Sequence, residues 1–269
     1  MIIKRLPFIL FALILAACGG KKMQTLPELI AHAGGGVDVP YSNSKEALEK
    51  SIADGFRYIE FDLLFTADSV LVAAHDWDLF NVQTGYAHKK DTAPTFADFS
   101  TRRIMGRYTP LSAADINAVF EKDTTIYLVT DKLSSPALLG RNFPRIKQRM
   151  LVEAFTYNDY VALRNEGYHR VFYSCQATDL TESLVKHLLL HNLFKGPKID
   201  WITMYVGELD NAAFRIMDAL AAFNIALFTV NSYEEIPRNK FSDVNRVKMI
   251  YTEEIKLKHF PQLRIKCNI

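Results

Sequence analysis

Four side chains of the kinds that move protons and hold cations fall in the first third of the chain: His32, Glu60, Asp62 and His75. Glu60 and Asp62 stand in the apolar segment Tyr58-Ile59-Glu60-Phe61-Asp62. On a β-strand, side chains alternate between faces, so positions 60 and 62 share one and Phe61 takes the other. Two carboxylates side by side on a buried strand repel each other, and burial raises the cost. They either share a proton or bind a cation. An all-oxygen ligand set selects a hard divalent ion such as Mg²⁺ or Ca²⁺. The two imidazoles, with an ordinary pKa of about 6.5, suit general acid and general base work near neutral pH. Asp131-Lys132 follows Ile126–Thr130 and adds one further carboxylate and a cation. As neighbours on a continuing strand they would face opposite ways, and both reach one site only if the strand has ended there.

These residues need a scaffold that brings distant segments together. Eight short, nearly continuous apolar runs are spaced along the chain: Leu29–His32, Tyr58–Phe65, Ile126–Thr130, Met150–Phe155, Arg170–Cys175, Trp201–Tyr205, Ala226–Val230 and Val247–Tyr251. Such runs read as strands buried on both faces. Helical patterns lie between them over Ser44–Asp54, Ser112–Lys122, Tyr157–Asn165, Leu180–Leu193 and Leu209–Phe223. Strand–helix alternation implies parallel pairing, and eight units of this length predict an α/β fold of the closed (β/α)₈ TIM-barrel type. In that fold the carboxyl ends of the strands carry the active site, which is where His32 and Asp131 fall. The rival open sheet calls for a GxGxxG phosphate loop, and Gly34-Gly35-Gly36 is not one. The longest insertion holds the extended run Val70–His75 and the polar stretch Trp77–Pro94, an excursion expected over the barrel mouth.

The 269 residues are 49% hydrophobic and 23% charged, which excludes disordered and fibrous classes. Lys4-Arg5 followed by the twelve apolar residues Leu6–Ala17 reads as a signal peptide, too short for a stable membrane span. Small residues before Cys18 resemble the bacterial lipoprotein cleavage box. That resemblance implies removal of 1–17, acylation of Cys18, a tether over 18–26, a barrel domain over 27–269, and a place in the bacterial cell envelope as a lipid-anchored protein. Without the leader, 30 basic residues face 30 acidic ones, so no basic excess points to nucleic acid. Cys175 and Cys267 are too few for a disulfide scaffold; a bridge between them stays open.

Taken in order, the motifs resemble those of the glycerophosphodiester phosphodiesterases. His32-Ala33-Gly34 stands for the family's His-Arg-Gly, Tyr41-Ser42-Asn43-Ser44 for Pro-Glu-Asn-Thr, and Glu60-Phe61-Asp62 for Glu-x-Asp. Thr66-Ala67-Asp68, His75-Asp76, Thr130-Asp131-Lys132 and Thr229-Val230-Asn231 follow in the family's sequence. The resemblance implies metal-dependent cleavage of a phosphodiester, with His32 and His75 as the acid–base pair and Glu60, Asp62 and Asp131 holding the divalent cation. Lys132, Asn43, Asn231 and Trp77 are the expected substrate contacts, and Thr252-Glu253 ends the eighth strand at the same rim. The partners implied are a small phosphodiester or a phospholipid headgroup, bound by a monomer. Ala33 and Ser42 replace the family's arginine and glutamate, which leaves two alternatives: a non-catalytic headgroup-binding lipoprotein, or a cyclising lyase of the phospholipase C kind. His187 and His191 have metal-ligand spacing but lie on an apolar helix and read as barrel exterior.

Overall fold

A computed structural model describes residues 27–175, 181–220, 223–232 and 246–254. Cys18 and Cys267 lie outside these residues, as do the leader and tether.

Among the described residues nine strands form: β1 (Glu28–Ala31), β2 (Tyr58–Phe65), β3 (Leu71–Ala73), β4 (Tyr127–Asp131), β5 (Met150–Ala154), β6 (Arg170–Ser174), β7 (Trp201–Tyr205), β8 (Asn224–Phe228) and β9 (Val247–Thr252). Eight of them pair in parallel around a ring, β1-β2-β4-β5-β6-β7-β8-β9, which closes through β1–β9. The chain is a (β/α)₈ barrel. β3 is the exception, an antiparallel partner of the end of β2 with Leu63 opposite Ala73.

Helices α1 (Lys45–Ala53), α2 (Trp77–Gln83), α3 (Phe96–Thr101), α4 (Ala113–Lys122), α5 (Pro136–Asn142), α6 (Tyr157–Asn165), α7 (Glu182–Phe194) and α8 (Ala212–Ala219) lie between the strands. Their starts are set locally. The side chains of Ser44, Asp76, Thr95, Thr156, Thr181 and Asn211 each accept a backbone N–H of the first turn. Ser112 and Asp115 form a reciprocal capping box on α4. No helix among the described residues is long and apolar enough to cross a membrane.

Alternation along the strands sorts the core into two compartments. Ile59, Phe61 and Leu63 of β2 join the large cluster between barrel and helices. Tyr58, Ile30, Val129, Leu151, Phe172, Ala226 and Met249 fill the barrel interior. Moving up from Tyr58 on the same face gives Glu60 and then Asp62, so the interior turns from apolar to acidic toward the mouth.

The excursion after β2 is more structured than its polar sequence suggested. Thr66 Oγ1 donates to Asp68 Oδ1 (2.7 Å) and Ser69 takes φ 64°, closing the β2–β3 turn. The Thr-x-Asp motif is therefore a hairpin device. Trp77–Pro94 contains α2, whose Phe80 stacks on Phe99 of α3 (4.8 Å) in a small core of its own. Buried Arg102 holds this unit together, donating to Asn81 Oδ1 (2.7 Å) and to Asp98.

Candidate active site

Glu60, Asp62 and Asp131 converge at the barrel mouth: each is buried, and one oxygen from each lies within 4.8 Å of the others. The register explains the third member. Asp62 pairs with Asp131 across β2 and β4, and partners in a parallel ladder point to the same face. Asp131 closes β4, and Lys132 then takes a left-handed φ of 57°. That turn brings Lys132 Nζ back to within 3.5 Å of Asp62 Oδ1, so the adjacent acid and lysine reach the same site.

Glu60 and Asp62 are fixed by their neighbours. Glu60 Oε2 accepts the Ala33 N–H at 2.7 Å. Asn43, fully buried, donates Nδ2 to Asp62 Oδ2 (2.9 Å) and accepts the Asp62 N–H (3.1 Å). Asn43 is thus a clamp on Asp62 in this structure, while Ser44 is the helix cap. Glu60 Oε1 and Asp131 Oδ1 are buried with no hydrogen-bond partner. A polar atom left so is costly unless something absent from the protein itself satisfies it. Three inward carboxylates with two unpartnered oxygens fit a hard divalent cation. Burial and the Asp62 charge push Glu60 up to about 8, and burial with the same neighbouring charges pushes Asp131 well above its ordinary range.

The two imidazoles stand at the same rim. His32 follows β1 directly, and its Nδ1 lies 3.0 Å from Glu253 Oε1, just past the end of β9. Burial works against the charged imidazole, but the Glu253 bond and the charges of Glu60 and Asp62 outweigh it, leaving the His32 pKa raised. His75 reaches the rim because β3 folds back along β2: the Ala74 N–H donates to the Asp62 carbonyl (2.9 Å). His75 Nδ1 lies 2.7 Å from Asp76 Oδ2. Each histidine therefore has Nδ1 against a carboxylate and Nε2 on the opposite side of the ring. Tyr41 sits between them, its ring centroid 5.0 Å from His32 and 4.5 Å from His75.

Four of the non-glycine residues with left-handed backbone, Ala33, Tyr41, Asn43 and Lys132, belong to this one site. Such conformations cost of the order of 1 kcal/mol or more each and persist where the surroundings enforce them. Each serves a contact named above: the Ala33 N–H on Glu60, the Tyr41 ring between the histidines, the Asn43 clamp, the Lys132 return.

The other residues singled out in the sequence make these contacts. Asn231 Oδ1 accepts the Glu253 N–H (3.0 Å) and Thr252 Oγ1 (3.3 Å), so it braces the loop that presents Glu253 to His32. Trp77 packs edge-on against Phe80 and Phe99. Buried His191 lies on Tyr157 (3.9 Å) and bonds Pro197 O on the barrel exterior. Ser42 is buried, its Oγ 3.1 Å from Ser44 Oγ. Two site residues escaped the sequence reading. Tyr41 has no telling pattern, whereas Glu153 was visible as an acid inside the apolar run Met150–Phe155. Glu153 accepts Tyr251 OH (2.5 Å) and Thr203 Oγ1 (2.9 Å) within the barrel, and burial raises its pKa.

Gly36 joins the two loops that meet at His32. A Cβ there would stand 1.8 Å from the Glu253 carbonyl oxygen. Gly36→Ala must push the Glu253 loop outward and part the Glu253–His32 pair. The expected result is a large fall in activity, with the acid cluster still able to bind a divalent ion by titration calorimetry.

Comparison with known proteins agrees with this geometry. Residues 32–123, which carry both histidines and the first two carboxylates, match the model of the Glycerophosphoryl diester phosphodiesterase family. Solved structures with the same fold include a glycerophosphodiester phosphodiesterase from Parabacteroides distasonis (18% identity, 90% of this chain and 98% of that one, TM-score 0.65). Another is the enzyme of the same name from Thermotoga maritima (17%, 89% and 99%, TM-score 0.62). A third is an Oleispira antarctica phosphodiesterase in complex with the product sn-glycerol-3-phosphate (16%, 90% and 97%, TM-score 0.60). At these identities the likeness is one of fold. No curated protein matches the sequence. What this chain shares with these structures is the closed parallel barrel, and the matched segment contributes both histidines and two of the three carboxylates at its rim.

Proposed function

We propose that the protein hydrolyses phosphodiesters of the glycerophosphodiester type, with His32 and His75 as its acid–base pair and a divalent cation, Mg²⁺ or Ca²⁺, held by Glu60, Asp62 and Asp131. The observation that carries this reading is the pair of unpartnered buried oxygens, on Glu60 and Asp131, at the same rim as the two carboxylate-backed imidazoles. When bound, the cation supplies positive charge to the phosphoryl oxygens.

The rest falls to the chain's own residues. One imidazole takes the proton of the attacking hydroxyl or water through Nε2, and the other returns one to the departing alkoxide. Glu253 and Asp76 hold the rings by Nδ1, and Glu253 favours the protonated form of His32. Lys132 adds a point charge for a phosphate oxygen. Ala33 has no side-chain donor and its N–H is spent on Glu60, so no bidentate guanidinium clamp exists at that position. Phosphate affinity then rests on the cation and Lys132. Three mutually repelling carboxylates cost stability in a barrel with no use for them, which supports the hydrolase over the inert binding lipoprotein. The product bound to the Oleispira protein supports a small phosphorylated alcohol as product. The same reading has residues 1–17 removed, Cys18 acylated and a monomer held at the bacterial envelope.

A panel of headgroup diesters assayed with Mg²⁺, Ca²⁺ and Mn²⁺ tests it. Turnover should appear with at least one ion, vanish in chelator, and yield a phosphomonoester by phosphorus NMR. A cyclic phosphate as final product would favour the lyase. Undiminished turnover in chelator would overturn the metal assignment.

A further inference from the structure

The barrel has two unlike ends. The mouth gathers the acids described above. The opposite end, the floor, is where each helix hands over to the next strand; its loops carry Arg57, Lys195 and Lys198, and the first residues of β6 and β9 add Arg170 and Lys248. Among the described residues, Asp54, Asp123, Glu166 and Asp200, with Glu28 at the start of β1, are acids at that end. A pit of about 290 Å³ opens in the floor, lined by Tyr58, Trp201, Arg170 and Lys248 among others. Aromatic rings mixed with long cationic chains are what a membrane interface selects.

The two most exposed large apolar side chains among the described residues lie beside this end. Leu193 and Phe194, the last residues of α7, are 73% and 79% exposed, and Leu220, just past α8, is 57% exposed. Lys195 and Lys198 follow at once. Both helices end at the floor, because each leads to the start of a parallel strand. Large side chains held out into water beside lysines are suited to an anionic lipid surface, which takes up apolar tips and cations together.

Chain geometry points the same way. β1 starts at the floor with Glu28. Eight residues, Gly19 to Leu26, separate Cys18 from Pro27, and Lys21-Lys22 lies among them. Whatever its conformation, that stretch spans at most about 30 Å. An acyl group on Cys18 would therefore be held close to the end that carries Leu193, Phe194 and the lysines.

We propose that the barrel docks floor-down on an anionic lipid bilayer, Leu193 and Phe194 entering the interface, with the acidic mouth turned to the aqueous side. The tether argument rests on acylation of Cys18, and the consequence for substrate rests on the hydrolase reading. A mouth facing away from its own membrane takes diesters arriving from solution.

The test uses the protein purified from membranes, its acylation read by intact mass. Amide hydrogen exchange is compared in detergent micelles, in phosphatidylcholine vesicles and in vesicles of phosphatidylcholine with phosphatidylglycerol. With phosphatidylglycerol, exchange at residues 193–198 and 169–170 should slow about fivefold or more, with residues 86–92 at the mouth unchanged. Slowing at the mouth, or none at the floor, overturns the proposal. Replacing Leu193→Glu and Phe194→Glu together touches only exposed positions. After protease release of the tether, the double variant's co-sedimentation with the anionic vesicles should fall about tenfold or more, with turnover of a soluble diester unchanged. Undiminished co-sedimentation also overturns it. An intact mass without acyl groups would remove the anchor but not the docking, since the released barrel is measured without it.

Discussion

His32→Ala and His75→Ala should each lower kcat by about 10²–10⁴-fold, the usual contribution of a positioned acid or base. Neither substitution should abolish divalent binding, because both histidines stand outside the three-carboxylate cluster. A double variant should fall little below the worse single one, since one proton relay is broken by either loss. Glu253→Gln separates a positioning role from a merely structural one. Glu253 is the first of the influences that raise the His32 pKa against burial. Without its charge, the limb of the kcat/KM profile that reports His32 should move to lower pH. The direction is the same whether His32 acts as base, on the acidic limb, or as acid, on the alkaline one. Asp76→Asn is the matched control at His75: it should reduce activity and leave the His32 limb in place. Full activity in both alanine variants would remove the acid–base assignment, and an unmoved limb in Glu253→Gln would remove the pairing.

The parts of this site that were legible in the sequence are those fixed by strand periodicity. Tyr58, Glu60 and Asp62 fall on one face because β2 is regular, and the barrel follows from eight such runs. The Asp131-Lys132 neighbours were the hard case. Alternation alone sends them apart, and their reunion depends on a left-handed turn at a lysine, which composition does not announce. Ala33, Tyr41 and Asn43 share that property. Their positions come from backbone conformations that are locally unfavourable and enforced by packing, so local propensity carries no trace of them. The insertion was opaque for a different reason. α2 and α3 have seven and six residues, too short for a helical period to emerge from a polar stretch. Their core is supplied by Phe80, Phe99 and the buried Arg102, contacts between residues far apart in sequence. Asn231 lies where the motif order placed it, yet its partner is the Glu253 loop, because the ends of β8 and β9 adjoin.

Strain and charge repulsion at the mouth have one thermodynamic consequence that can be measured without any substrate. In chelator, Glu60 is held up to about 8 from an ordinary value near 4.5. A carboxyl group whose folded pKa lies above its unfolded one binds more protons folded than unfolded. Its contribution therefore favours the fold at low pH and is lost as pH rises through the window from about 4.5 to about 8. Metal-free protein should lose roughly 2–4 kcal/mol across that window from this cluster, its protons being shared among Glu60, Asp131 and their neighbours. For a domain of this size the loss corresponds to a Tm lower by on the order of 5–10 °C at pH 8 than at pH 5 from this source. A divalent cation takes the place of the missing protons, so saturating Mg²⁺ or Ca²⁺ should raise Tm far more at pH 8 than at pH 5. Glu60→Gln then gives opposite results in two assays. Activity should drop to the level of the histidine variants, because the cation site loses a charged ligand. Stability in chelator at pH 8 should rise, because a neutral amide can donate toward Asp62 and Asp131 where a carboxylate repelled them. The Tm of Glu60→Gln should also stop responding to the cation. A variant that lost activity and stability together at pH 8 in chelator would show that Glu60 is held by contacts other than those described, and would sink the reading of this cluster as a cation site.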